Sequence, residues 1–407
     1  MSDALRLSVV VVSAGRPRAL DRCLTALSQM QTTRAEVIVV ADPAGMAVAQ
    51  RHPQAARLTI LPQDRPNISA ARNAGIAAAA AEIVAFIDDD AVPEPGWAAA
   101  LLAAFADPAI AAATGPVIGR NGISLQWGRM AVDRQGRDRW LPAEEQIAPG
   151  EVPKIHGTNM AFRRKILSRT GGFDTGFAFF LDETDLALRL GEAGLQIAYL
   201  PNAVVHHGFA ASVRRTEDRV PLDLFDIGAS TALFLRKHAP ADRDVAVARL
   251  EAAQRARLLR LARRRKLTAQ EMRKLMESLR AGISEGAKRA SSTPIIAPCQ
   301  RSFQPLRGTL PPEMAFADGW WFSAQKLRTH AAAKIADGQP TTLILLAPSP
   351  RKHRVEFTQG GWWEQRGGLY GPSDRTGARF QPWRYQNRIL AETQRLFGEI
   401  SIERVFS

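Results

Sequence analysis

The chain has 407 residues, 46% of them hydrophobic, and a formal net charge of +14. That length can hold two domains with separate cores, and no apolar stretch approaches the roughly 20 residues needed to cross a bilayer. Its start lacks a basic segment followed by a long apolar one, so no secretory signal is expected. Cys23 and Cys299 are too few and too distant for a disulfide framework or a CxxC metal site, which fits a reducing cytoplasm. The charge is uneven: residues 1–236 carry 24 basic against 25 acidic side chains, and residues 237–407 carry 30 against 15. The basic half suggests a surface facing something anionic, such as lipid headgroups, a phosphorylated acceptor or nucleic acid.

In chain order, Leu7 to Val12 reads as a buried strand, followed by the turn Ser13-Ala14-Gly15-Arg16-Pro17. Leu20, Cys23, Leu24 and Leu27 then recur at helical spacing. Val37–Val40 is a second strand, ending at Ala41-Asp42-Pro43, and Leu58–Leu61 a third. Arg65 to Gly75 opens an Ala-rich helix that leads to Ile83-Val84-Ala85-Phe86-Ile87, which ends in Asp88-Asp89-Asp90. An apolar run of this kind predicts a strand buried on both faces of a parallel sheet. Three adjacent carboxylates at its end repel one another unless a cation sits among them. The carboxyl ends of parallel strands are also where open α/β sheets place ligands. Strands alternating with helices predict a doubly wound, mostly parallel sheet.

Further motifs follow: Gly157-Thr158-Asn159, Gly171-Gly172-Phe173-Asp174, Asp182-Glu183-Thr184-Asp185-Leu186-Ala187-Leu188-Arg189 and Val204-Val205-His206-His207. In order and spacing, from about residue 5 to 210, the set resembles family 2 glycosyltransferases of the GT-A fold. The resemblance implies an inverting transfer from a nucleotide-diphosphate sugar, with Mg²⁺ or Mn²⁺ as cofactor. It implies Asp88 and Asp90 as the Asp-x-Asp pair, Asp90 being the direct metal ligand, and Asp89 as a contact to the ribose. It places Asp42 against the nucleobase, although Ala41 stands where the family often has a second acid. Arg72 would lie near the nucleotide phosphates, where a guanidinium can clamp oxygens, or else in a helix-surface ion pair. Asn159 is counted with the nucleotide-sugar residues.

The family's base, the second acid of a pair ahead of Asp-Leu-x-x-Arg, falls on Glu183, but the usual Glu-Asp order is reversed here. Asp182 therefore stays a candidate base. His206 matches the family's metal or diphosphate ligand, with His207 on the opposite face of the strand. His156 could approach the sugar or cap a turn. Trp97 reads first as an anchor of its helix on the sheet.

Beyond residue 210 the resemblance fades. Val220–Arg236 reads as a helix closing the catalytic domain, expected to end at 236. Two helical stretches follow to about 290: an Arg-rich one to Lys266, and one after Thr268 and Glu271, which have the spacing of a capping box. The pair could lie on an anionic membrane or pack on the catalytic domain, the safer default. Residues 291–407 read as a small α+β accessory region, with a strand at Thr341–Leu346 and turn-rich aromatic stretches near Trp362-Trp363 and Gly367–Gly371.

The sequence thus predicts a cytoplasmic, metal-dependent glycosyltransferase, peripheral on the membrane at most. Its acceptor would be a cell-surface polysaccharide or a lipid-linked glycan. A nucleotide-sugar or glycan-binding protein with impaired catalysis is the alternative, suggested by the swapped acids and by Ala41. A nucleic-acid role ranks last, because the Arg clusters accompany no recognisable nucleic-acid motif.

Overall fold

The computed structural model describes residues 4–208, 210–374, 377–397 and the strand Ile402–Arg404. Its centre is a seven-stranded sheet in the order Gln196–Tyr199, Ile110–Thr114, Asn159–Arg163, Ile83–Asp88, Leu7–Ser13, Ala35–Ala41, Leu58–Pro62. All neighbours run parallel except Asn159–Arg163, which is antiparallel to both strands beside it. The apolar runs of the first two strands and of Ile83–Asp88 are buried on both faces. Val9, Val11, Val37, Val39 and Ile87 face the helices Pro17–Leu27 and Trp97–Ala104. Their alternates Val10, Ile38, Val40 and Phe86 face Ile68–Ala78 and Asp182–Glu192. This is the mixed α/β class the strand–helix alternation predicts.

Close packing fixes Ile68–Ala78 on the sheet. A Cβ on Gly75 would lie 2.4 Å from Val10 Cγ1, so the helix backbone lies against the Leu7–Ser13 strand. Its N-terminus is capped by the Asn67 side chain, which accepts from the Ala70 amide at 2.9 Å. That cap directs Arg72 toward the carboxyl ends of the strands.

The helix Phe225–His238 runs across position 236, so the boundary expected there falls inside an element. It packs backbone to backbone against Ala269–Gly286: a Cβ on Gly282 would lie 2.0 Å from the Phe225 carbonyl oxygen. Leu233 and Phe234 of the same helix join Phe177, Leu181 and Leu188 in one apolar cluster. The Arg-rich helix Arg243–Arg263 and Ala269–Gly286 thus form a layer packed on the sheet domain, held by Leu224, Leu258, Leu275 and Leu279. The Thr268–Glu271 capping box is present.

Residues after 290 return along the seven-stranded sheet domain, where Ile296 enters the core beside Phe173 and the Leu306 amide donates to the Ala35 carbonyl at 2.8 Å. The chain then builds a five-stranded sheet in the order Arg354–Phe357, Trp363–Gly368, Thr341–Ala347, Met314–Trp320, Ile402–Arg404. Only Arg354–Phe357 is antiparallel to its neighbour. This unit meets the seven-stranded sheet domain through Val92 and Ala26, and through Gln29, which donates to the Gly361 carbonyl at 2.6 Å. No helix among the described residues is long and apolar enough to cross a membrane.

Candidate functional site

A cavity of about 690 Å³ opens at the carboxyl ends of the parallel strands and is lined by Asp42, Arg72, Asp88, Asp90, Asp182, Glu183 and His207, among others. Its floor follows from the topology, because Leu7–Ser13, Ala35–Ala41 and Ile83–Asp88 all end there.

Asp88 accepts a hydrogen bond from the Thr158 hydroxyl at 2.6 Å and lies 3.7 Å from Arg72 Nη2. Asp90 is almost fully buried; its Oδ2 accepts from the Ala210 amide at 2.7 Å and lies 3.1 Å from Arg16 Nη1. Asp90 Oδ1 stands 3.3 Å from His207 Nε2 and accepts no hydrogen bond. Burial pushes the Asp90 carboxyl up, but His207, Arg16 and the Ala210 amide outweigh it and hold it far below the usual carboxylate range. Ligand atoms of Asp88, Asp90 and His207 lie within 4.8 Å of one another. Two carboxylates, an imidazole and a buried oxygen without a donor suit a divalent cation such as Mn²⁺ or Mg²⁺.

Three expected site residues, His206, Asn159 and Asp89, lie elsewhere. His206, expected as the metal ligand, turns the other way: its Nε2 is 2.9 Å from Glu94 Oε1, and its ring meets Trp363 of the C-terminal sheet at 4.7 Å. The strand Val205–His207 pairs antiparallel with Ala91–Pro93, and that register turns His207 to the cavity. Asn159, expected on the donor, is fully buried. It accepts from Trp97 Nε1 at 2.9 Å and donates to the carbonyls of Pro116 at 3.1 Å and Ala203 at 2.8 Å. It ties the central sheet to the helix that Trp97 anchors.

Asp89 also points away from the cavity. It accepts from Ser13 Oγ at 2.7 Å and Arg16 Nε at 3.1 Å, and it is fully buried. Burial carries its carboxyl up to about 7 against the opposing charge of Arg16. Asp42 remains at the cavity, where its carboxylate accepts the amides of Gly45 and Gly15, both at 2.8 Å. The Gly15 turn has φ +69°, a conformation that favours glycine, and it brings that amide to Asp42.

Across the cavity, Phe180 and Leu181 adopt left-handed conformations with φ 74° and 65°, immediately before the helix Asp182–Glu192. Two such non-glycine residues in succession mark stored strain of the kind found at functional sites. The turn aims both acids into the cavity. Asp182 is closed off by a tight ion pair with Arg72, whose Nη2 also donates to the Gly157 carbonyl at 3.1 Å. Arg72 thus lines the cavity, and its ion pair lies inside it and not on a helix surface. Burial, followed by the neighbouring Glu183, pushes the Asp182 carboxyl up to about 7 in spite of Arg72.

Glu183 is the more accessible acid, its side chain 15% exposed. Burial favours its neutral form, but Lys154 Nζ at 3.4 Å and Arg72 outweigh that and hold Glu183 below its ordinary value. Lys154 is itself buried, donating to Thr184 Oγ1 at 2.6 Å and facing Asp138 Oδ1 at 3.3 Å.

Sequence reasoning missed Arg16, Trp127, Thr158 and Lys154. Arg16 and Thr158 sit beside motifs singled out in the sequence, at a strand end and next to Asn159. Trp127 lines the cavity and stacks on His207 at 5.9 Å and His156 at 5.7 Å. His156 is buried against the Gly128 carbonyl at 2.8 Å, and that burial pushes its imidazole down to about 4.

Residues 5–219 match the family described as "Glycosyltransferase like family 2". A pre-mycofactocin glycosyltransferase of Mycobacterium tuberculosis is 29% identical over 238 residues, covering 56% of this chain and 48% of that protein. An N-acetylglucosaminyl-diphospho-decaprenol L-rhamnosyltransferase of the same species is 35% identical over 83 residues, 19% of this chain and 27% of that protein. The chain spans about half the length, or less, of these relatives. The solved mannosyltransferase PcManGT from Pyrobaculum calidifontis, in complex with GDP-Man and Mn²⁺, is similar at a TM-score of 0.42 and 19% identity. That likeness covers 70% of this chain and 88% of that one. The family match spans more than half of the chain and contains Asp42, Asp88, Asp90, Glu183 and His207, so the chain belongs to glycosyltransferase family 2.

Proposed function

We propose that this protein transfers a sugar from a nucleotide-diphosphate donor to a hydroxyl of a glycan or lipid-linked acceptor, by single displacement with inversion. The observation that carries the proposal is one cavity with Asp88, Asp90 and His207 on one side and the accessible Glu183 on the other. A divalent cation held by those three residues supplies charge stabilisation for the departing diphosphate when bound. Asp42, already oriented by the Gly15 and Gly45 amides, has lone pairs left to accept from a nucleobase.

Glu183 takes the acceptor proton. It is ionised at neutral pH because Lys154 and Arg72 favour its charge. Asp182 is covered by Arg72 and orients that guanidinium. The relatives' names fit the class: one acts on pre-mycofactocin and the other is named for a diphospho-decaprenol acceptor.

The test is turnover of a panel of UDP-, GDP- and dTDP-sugars with Mn²⁺ or Mg²⁺, with or without added acceptor, followed by NMR of the first-formed product. An anomeric configuration opposite to the donor's is expected. Retention would refute single displacement, and no turnover of any donor with any acceptor tried would favour a binding protein that has lost catalysis.

A further inference from the structure

The cavity wall built by residues 212–227 and the helix Arg243–Arg263 carries Arg214, Arg215 and Arg257 together with Asp223 and Asp226, and Asp226 is paired with Arg214 at 2.6 Å. Arg215 and Arg257 both line it, and Arg215 Nη2 lies 3.7 Å from Asp90 Oδ2. Arg257 comes from outside the family-matched residues 5–219. Its hydrogen bonds go to neutral groups: Nη1 to Gln254 Oε1 at 3.5 Å, and Nη2 to the Arg219 carbonyl at 3.3 Å. After burial itself, the charges acting on Arg257 are those of Arg215 and Arg260, both of its own sign, and they hold its guanidinium below the usual arginine range.

Arg219 sits in the same electrostatic neighbourhood. Partial desolvation, then Arg215, Arg257 and Arg120, lower it as well. It adopts φ 65°, a left-handed conformation rare for a non-glycine residue, and Arg257 staples its carbonyl to the helix. Guanidiniums that share one wall repel, and a phosphate or carboxylate among them offsets that cost through charge-assisted, bidentate hydrogen bonds. Beside them Val213 is 82% exposed and Phe180 42% exposed, both lining the same cavity.

We propose that this wall is the acceptor subsite, and that the acceptor carries a phosphate or carboxylate gripped by Arg257 and Arg215 next to an apolar portion lying on Phe180 and Val213. The proposal rests on the glycosyltransferase reading of the cavity. It names the acceptor as an anionic amphiphile and gives the Arg-rich helix a role in choosing it.

The test is calorimetry on the full chain with inorganic phosphate, octyl phosphate and octanoate, each with and without a saturating nucleoside diphosphate and Mn²⁺. Octyl phosphate is expected to bind the nucleotide-saturated protein about tenfold tighter than inorganic phosphate, from burial of its chain. Arg257→Ala should weaken its binding about tenfold, with Arg257→Lys recovering part and nucleotide affinity unchanged. Circular dichroism melting would verify that the variants fold. Octanoate binding more tightly than octyl phosphate would make the preferred anion a carboxylate. Equal affinity for inorganic and octyl phosphate would keep the anion site and remove its apolar half. Simple competition between octyl phosphate and nucleotide, or unchanged affinity in Arg257→Ala, would overturn the subsite. If no nucleotide binds while octyl phosphate still depends on Arg257, the anion site stands and the glycosyltransferase reading falls.

Discussion

His207 Nε2 stands 3.3 Å from Asp90 Oδ1, whereas His206, its neighbour in the chain, is held by Glu94 and by the ring of Trp363. One histidine faces the acidic pair, and the other fastens the strand Val205–His207 to the C-terminal unit. His207→Ala should therefore weaken Mn²⁺ binding in the presence of nucleotide by about tenfold or more. His206→Ala should change it far less and instead lower the melting temperature, because a ring contact between the two units is lost. Calorimetric Mn²⁺ titration of both variants checks this, and a reversed ranking would return the ligand role to His206.

The pH dependence of transfer should reflect Lys154. Glu183 is held below its ordinary value, so the acid limb of kcat/KM should lie below the normal glutamate range. Lys154→Met removes a positive charge that favours the carboxylate, and the limb should then move to higher pH. A profile unmoved by Lys154→Met would mean that another group sets the limb.

Asp182 and Asp89 are both pushed up to about 7 by burial. A carboxyl that binds its proton more tightly in the folded chain stabilises the fold at low pH and loses that contribution as pH rises through its folded value. Between pH 5 and 8 these two groups should therefore lower stability. Asp182→Asn should flatten that decline by about 1–3 kcal/mol, read from urea unfolding at both pH values. A decline as steep as in the unmodified protein would show that Asp182 is ionised throughout.

Asn159 is buried in the frame, bonded to Trp97, Pro116 and Ala203. Asn159→Ala leaves Trp97 Nε1 and the Ala203 carbonyl without this partner, while the Pro116 carbonyl keeps the Val205 amide at 3.2 Å. The loss should be about 3 kcal/mol of stability, with little change in donor KM in the folded fraction. A large KM increase at unchanged stability would restore Asn159 to the donor site.

The centre of the site was legible because an apolar strand that ends in acids, flanked by further motifs in a fixed order, reads as a buried strand opening onto a charged crevice and not as a solvated acidic turn. The histidines show where legibility ended. Alternation along Val205–His207 told that the two rings part, but which face meets the cavity depends on pairing with Ala91–Pro93, distant in sequence. Asn159 faces inward for a similar reason, set by two flanking strands. In the C-terminal unit, Trp363–Gly368 does not read as a strand because it buries Glu364 and Gln365 instead of an apolar run. Those side chains are satisfied by Arg328 and by Glu392, partners that only the fold brings together. Lys154 and Arg257 carried no motif and acquire meaning from position alone.

The most direct test is nucleotide-sugar binding and turnover with Mn²⁺, compared among the unmodified chain, Asp90→Ala and Glu183→Gln. The account predicts selective binding of one nucleotide class, lost in Asp90→Ala. In Glu183→Gln binding should persist while turnover falls by about 100-fold or more. Undiminished binding and turnover in Asp90→Ala, or full activity in Glu183→Gln, would contradict it.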